Sequence, residues 1–228
     1  MSSNRLLKCA AVLSALVTAT LPFAAGAVII SPVAVTATNS FPDSTFGNPL
    51  NLINHGGLLT DFTSGVTDFD TYMAGNPQHT IISTGAEWFT NYEVSSATLV
   101  FDLGANIVVD RVAVWTDEFW GAGSIAVALS LDNVGFTGVG SFNPTDWAPS
   151  VASYGADVFG FAATSTRYVR LALSNCPQPN SVAGGGCGLG EVAFDTGTLV
   201  TTVPEPSTLA LLGLGVLAFA FVRRPAVC

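Results

Sequence analysis

Lysine is all but missing from this 228-residue chain: only Lys8 occurs, and seven basic residues stand against sixteen acidic ones. Between Val28 and Val203 there is none, and three arginines (Arg111, Arg167, Arg170) oppose fifteen carboxylates, a formal charge of −12. A surface of that sign repels nucleic acid and anionic lipid and favours divalent cations or neutral partners. Histidine is nearly as scarce, with only His55 and His79, and no serine sits in a Gly-x-Ser-x-Gly turn. Of four cysteines, only Cys176 and Cys187 lie between the two ends of the chain. In an oxidising exterior they most simply pair with each other, and closing that short loop stabilises by about 3 kcal/mol on a chain-entropy account. A zinc site has no second cysteine pair or histidine nearby to draw on.

Long apolar runs occur only at the two ends. Arg5 and Lys8 precede an apolar stretch over residues 10–21, and Ala25-Gly26-Ala27 offers small residues for cleavage, the layout of a secretory signal peptide over residues 1–27. The other end, from Val203, reads Pro204-Glu205-Pro206, then an apolar run over residues 209–222, then Arg223-Arg224. That run spans ~21 Å as a helix, against roughly 30 Å of hydrocarbon. Flanking Ser207 and Thr208 and snorkelling arginines bring it close to a membrane span, with the arginines on the cytoplasmic side. This tail, residues 204–228, resembles the PEP-CTERM sorting signal of Gram-negative, exopolysaccharide-producing bacteria. The resemblance implies recognition and cleavage near Pro204-Glu205-Pro206 by exosortase, transient residence in the inner membrane, and release to the surface or matrix. A plain C-terminal membrane anchor is the bland alternative.

The remaining domain, residues 28–203, is long enough for one sizeable core. Its hydrophobic residues alternate. Ile125, Val127, Leu129 and Leu131 share one face, as do Leu99, Phe101 and Leu103, then Val112 and Val114, then Val169, Leu171 and Leu173. Shorter segments follow at residues 189–194 and 198–203, and turn formers such as Gly104-Ala-Asn106 and Asp132-Asn133 separate the strands. Helical periodicity is nearly absent. The pattern predicts an all-β fold, an antiparallel jelly-roll sandwich, flanked by an N-terminal signal helix and a C-terminal transmembrane helix. Residues 39–91, rich in Asn, Asp, Gly, Thr and Pro, are expected as long loops at one end of that sandwich.

With the strands placed, Thr98-Leu-Val-Phe-Asp-Leu-Gly104, Val108-Val-Asp-Arg-Val-Ala-Val114, Leu129-Ser-Leu-Asp132, Thr166-Arg-Tyr-Val-Arg-Leu-Ala-Leu173 and Gly188-Leu-Gly-Glu191 resemble, in order, the strands of discoidin-type (coagulation factor type C, galactose-binding-like) domains. The resemblance implies a calcium ion bridging an early loop and the closing glutamate. Matching positions give Asn54 and Glu191, with Asp61, Asp68 and Asp70 as further carboxylates in the loop. The usual aspartate-glycine turn reads Asn54-His55-Gly56 here, a departure at the metal loop itself.

A sugar site needs an aromatic platform and planar polar groups. Trp88, Asn91, Trp115, Glu118, Trp120 and Arg170 are the candidates, with Tyr92 and Asn175 nearby in sequence. Each has a structural alternative: Trp88 as core, Arg170 paired with an acid. Asp117 and Glu118 are neighbours, so on an extended chain they point to opposite faces and cannot act as a glycosidase pair. The run Gly184-Gly-Gly-Cys-Gly-Leu-Gly190 precedes a strand, so it reads as a turn closed by the disulfide, not a phosphate cradle. No catalytic residue is assigned. The expected function is an exported, non-enzymatic protein that binds extracellular polysaccharide. The alternatives are a structural matrix protein without a glycan site and, further off, a polysaccharide-modifying enzyme.

Overall fold

A computed structural model of the protein describes residues 26–197. The expected signal peptide up to residue 25, the segment 198–203, the sorting motif Pro204-Glu205-Pro206 and the apolar run 209–222 lie outside the described residues. Among those described, no helix is long and apolar enough to cross a membrane.

The architecture is all-β and antiparallel. Among the described residues ten strands follow in order: β1 (Ile29–Ile30), β2 (Ala34–Ala37), β3 (Gln78–Thr80), β4 (Trp88–Phe89), β5 (Ala97–Thr116), β6 (Ser124–Ser130), β7 (Thr137–Phe142), β8 (Ser153–Gly155), β9 (Asp157–Ser174) and β10 (Gly188–Asp195). A ribbon of β5 and β9, 20 and 18 residues long, organises the rest. Straight, β5 would reach ~66 Å at ~3.3 Å per residue, far more than a domain with a radius of gyration of about 16 Å can hold. The ribbon therefore folds over, and its register slips between Asp102 and Ile107 and again between Val109 and Arg111. Gly104 enables the first slip: its φ is 82°, and a Cβ there would lie 3.1 Å from Val33.

The two halves of the ribbon recruit different partners. Residues 97–102 of β5 pair with β2 and with the C-terminal half of β9, which continues to β6 and β7. Residues 112–116 pair with β10, which adds β1 and β4. The alternating apolar residues of both halves face each other: Leu99, Phe101, Val112, Val114, Ile125, Leu171 and Phe194 share one core, with the Phe101 and Phe194 rings 5.6 Å apart. Hydrogen bonding thus runs through a single eight-stranded sheet folded into a sandwich. Leu131 departs from the expected inward row and is 58 % exposed. β6 stops at Ser130, where Asp132 Oδ1 accepts the Val134 and Gly135 amides and turns the chain back into β7.

Residues 39–91 are not simply end loops. They form a 3-10 helix (Pro49–Ile53), α1 (Phe69–Ala74), β3 and β4. Asp68 caps α1 by accepting the Thr71 amide. At six residues the helix is too short to leave a periodic trace. Phe69 and Tyr72 pack with Trp115, Ala113 and Ala193 in a second core on the outer face of β5 and β10. β10 is consequently buried on both faces, every residue of it. Cys176 and Cys187 form the expected disulfide, their Cα atoms 5.0 Å apart.

Candidate functional site

An aromatic cleft opens where several connections meet. Phe41 and Phe46 come from the segment after β2, Ile82 from that after β3, Phe89 from β4, and Tyr92 follows it; Phe119 and Trp120 belong to the turn after β5. The cleft encloses about 140 Å³. Backbone bonds fix its walls: Phe41 N–H donates to Phe89 O (2.9 Å) and Phe89 N–H to Phe46 O (2.8 Å). Edge-to-face contacts then join Phe41 to Tyr92 (5.6 Å), Tyr92 to Trp120 (5.0 Å) and Trp120 to Phe89 (5.4 Å). Tyr92 is 63 % exposed whereas Trp120 is 8 %, so the rim is an accessible phenol and the wall a packed indole. The glycine run closes the far side of that indole. A Cβ on Gly185 would come within 2.2 Å of the Trp120 ring, so only glycine permits the approach.

Behind the cleft lie three buried carboxylates. Glu87, Asp117 and Glu118 each offer an oxygen, all within 4.8 Å of one another. The expectation that Asp117 and Glu118 point apart is overturned: β5 ends at Thr116, and the chain turns as Asp117 Oδ1 accepts the Phe119 (2.8 Å) and Trp120 (2.7 Å) amides. Glu118 Oε1 accepts the Ile82 amide (3.1 Å). Glu87 accepts the Ser83 amide (2.7 Å) and the Tyr154 hydroxyl (3.2 Å). Burial, with Glu118 alongside, pushes the Glu87 carboxyl up to about 8. Burial and the neighbouring carboxylates raise Asp117 well above the carboxylate range. His79 Nδ1 lies 3.7 Å from Glu87 but bonds Thr80 O, and burial lowers its pKa to about 4, so it is no counter-ion at neutral pH.

The sugar-site candidates separate. Trp88 and Trp115 are wholly buried, their indole N–H groups donating to Ser40 Oγ and Pro77 O, so neither can serve as a platform. Trp120 lines the cleft, and Asn91 is exposed beside Tyr92. Glu118 lies behind the cleft, 2 % exposed. Arg170 stacks its guanidinium 4.5 Å over Phe136 and lines no part of the cleft. Asn175, at φ 55°, accepts the Gly123 amide through its carbonyl. Phe41, Phe46, Ile82, Phe89, Phe119 and Glu87 are not among the sequence candidates, and Asp117 enters there only as half of a glycosidase pair. The only sequence signal for them was the density of aromatics in segments without strand pattern.

The expected calcium ligands are brought together only in part. His55 N–H donates to Glu191 (2.9 Å) and its Nδ1 bonds Asp61 (2.7 Å), placing Asp61 and Glu191 on either side of one residue. Asn54 accepts the Gly56 amide and donates to Gly85 O. Glu191 is buried, keeps one oxygen without a donor, and has its pKa raised well above the ordinary value by burial. Asp68 is engaged as the cap of α1, and Asp70 pairs with Arg111, which also holds Asp195. Ser31 Oγ lies 2.8 Å from His55 Nε2, completing a serine–histidine–aspartate chain. Its Asp61 is 71 % exposed, and the Ser31 amide is spent on Ser64 Oγ.

A family model described as the PEP-CTERM protein-sorting motif matches residues 202–224, so the chain ends in that motif, which indicates an exported protein. No curated protein matches the chain. Among solved structures it is similar to chitosan-binding module 1 of a chitosanase/glucanase from Paenibacillus sp. IK-5, at 18% identity over 72% of this chain and 95% of that one, with a TM-score of 0.47. It is also similar to the CBM32 of AlyQ in complex with 4,5-unsaturated mannuronic acid (20% identity, 73% and 96% covered, TM-score 0.46). A third is CpGH89CBM32-5 from Clostridium perfringens in complex with GalNAc-beta-1,3-galactose (14% identity, 71% and 93% covered, TM-score 0.45).

Proposed function

We propose that this protein is an exported, exosortase-processed surface or matrix protein whose β-sandwich binds extracellular polysaccharide without modifying it. The observation that carries the reading is the cleft in which exposed Tyr92 stands against Trp120. Aromatic faces of that kind stack on the apolar face of a pyranose, and exposed Asn91 beside them offers an amide to its hydroxyls. The sorting motif at residues 202–224 would deliver such a domain to the outside, where polysaccharide is the abundant polymer. The charge of −12 favours a neutral or cationic chain over an anionic one. In the same reading Glu191, with Asn54 and Asp61, holds a calcium ion that ties the early loop to β10. The three carboxylates behind the cleft are out of solvent and cannot flank a glycosidic bond.

The test is a glycan array probed with the purified chain and its Tyr92→Ala variant. Binding to neutral or amino-sugar glycans that the variant loses supports the reading. Absence of binding to every glycan favours a structural matrix protein, and turnover of any glycan favours an enzyme.

A further inference from the structure

We propose that Glu87, Asp117 and Glu118 hold one hard divalent cation, of the calcium class, directly beneath the aromatic cleft, and that this ion sets the cleft's shape. Three side chains from two separate segments converge there, their oxygens within 4.8 Å of one another. Oxygens at ~2.4 Å from one calcium ion can be at most about 4.8 Å apart, so the spacing suits a single shared ion. All-oxygen, carboxylate-rich donors select calcium or magnesium over softer metals. Water or backbone carbonyls would fill the remaining positions.

A second observation separates this trio from an ordinary acidic patch. Asp117, with no exposed surface, and Glu118, at 2 %, each keep one carboxylate oxygen that receives no donor. A buried, unpartnered carboxylate is among the costliest groups a core can contain. No side-chain cation among the described residues relieves it. Arg111 is engaged by Asp70 and Asp195, Arg167 by Asp102, and Arg170 lies over Phe136.

The coupling to the cleft follows from what the same carboxylates hold. Asp117 carries the Phe119 and Trp120 amides, Glu118 carries the Ile82 amide, and Glu87 immediately precedes Trp88 and Phe89 of β4. Four cleft residues thus hang on the trio. The cation site stands without the sugar reading; only the coupling rests on it. The ion would also be distinct from one at Glu191, whose partner is the His55 loop.

The test uses the full chain, stripped with EGTA and titrated with calcium chloride or magnesium chloride alone, followed by calorimetry and thermal melting. Asp117→Asn and Glu118→Gln keep an oxygen to accept the same amides, so both are expected to fold. At a hundredfold excess over Kd, calcium should raise the wild-type Tm by about 5–10 °C. Each variant should bind one ion fewer, lose that ion's share of the rise, and melt higher than wild type in EGTA, because an amide N–H group replaces an unpartnered oxygen among the carboxylates. Glu191→Gln should keep the event. Three results would overturn the proposal: no calcium or magnesium shift in wild type, unchanged ion binding in both trio variants, or abolition of all binding by Glu191→Gln alone. Polysaccharide retention is read separately with Tyr92→Ala, which should leave ion binding intact, so failure of the sugar reading and failure of the ion site are told apart.

Discussion

Trp120 hangs from Asp117: its backbone N–H donates to Asp117 Oδ1 at 2.7 Å, and the Phe119 amide joins it on the same oxygen at 2.8 Å. That turn puts an indole into the cleft wall and a buried carboxylate behind it. The surface that would meet a sugar and the pocket that would hold a cation are therefore two sides of one short loop.

Exposure decides which aromatic is the better probe. Tyr92→Ala removes a ring that is 63 % exposed, so stability should change by less than about 1 kcal/mol while polysaccharide binding falls at least tenfold. Trp120→Ala should lose binding too, but at 8 % exposure it should also cost about 3–5 kcal/mol through the cavity it leaves. Thermal melts run beside the binding assay separate the two.

Gly185→Ala should behave unlike an ordinary loop substitution. Its Cβ would collide with the Trp120 ring at 2.2 Å, and the indole must move for it to fit. Destabilisation of about 1–3 kcal/mol is expected. Intrinsic tryptophan fluorescence should shift, whereas Gly135→Ala, with nothing within 4 Å, should leave it unchanged.

Reduction of Cys176–Cys187 should lower stability by about 3 kcal/mol, since the bridge joins cysteines separated by 11 positions in sequence. The same loop brings Gly185 against Trp120, so reduction should weaken the cleft as well. Melting with and without a reductant checks both.

Asp102 supplies the pH dependence. Arg167 donates to both of its oxygens (2.9 and 3.0 Å) and, with the Gly104 amide, holds its pKa below the ordinary aspartate value. A carboxyl whose folded pKa is depressed adds stability that is present above the unfolded value and lost as pH falls through the folded one. Asp102→Asn should therefore flatten the acid limb of the stability profile below about pH 4. At neutral pH it should cost no more than about 1 kcal/mol, because Arg167 is 40 % exposed.

The strands were legible because their signal is local. Period-two rows at Ile125, Val127 and Leu129 and at Val169, Leu171 and Leu173 are the buried rows of β6 and β9. The disulfide was legible by elimination among the cysteines. The cleft was not, because Phe41, Ile82, Tyr92 and Trp120 are far apart in sequence and sit in turns whose geometry no periodicity encodes. Asp117 and Glu118 do not point apart because extended geometry stops at Thr116, the end of β5. The brief helix at residues 69–74 was missed for want of length.

Ser31, His55 and Asp61 form a constellation that invites an enzymatic reading. With Asp61 71 % exposed and the Ser31 amide spent on Ser64 Oγ, the serine should remain unlabelled by a fluorophosphonate probe at pH 8. Labelling that is lost in Ser31→Ala would mark an acyl-transfer site and contradict the proposed non-enzymatic role.

Native affinity electrophoresis of the calcium-loaded chain through gels containing neutral polysaccharide or chitosan is the decisive test of polysaccharide binding at the aromatic cleft. Retardation by at least one of these polymers is expected, lost in Tyr92→Ala and weakened after EGTA. Unretarded migration in every gel, or equal retardation of wild type and Tyr92→Ala, would contradict it.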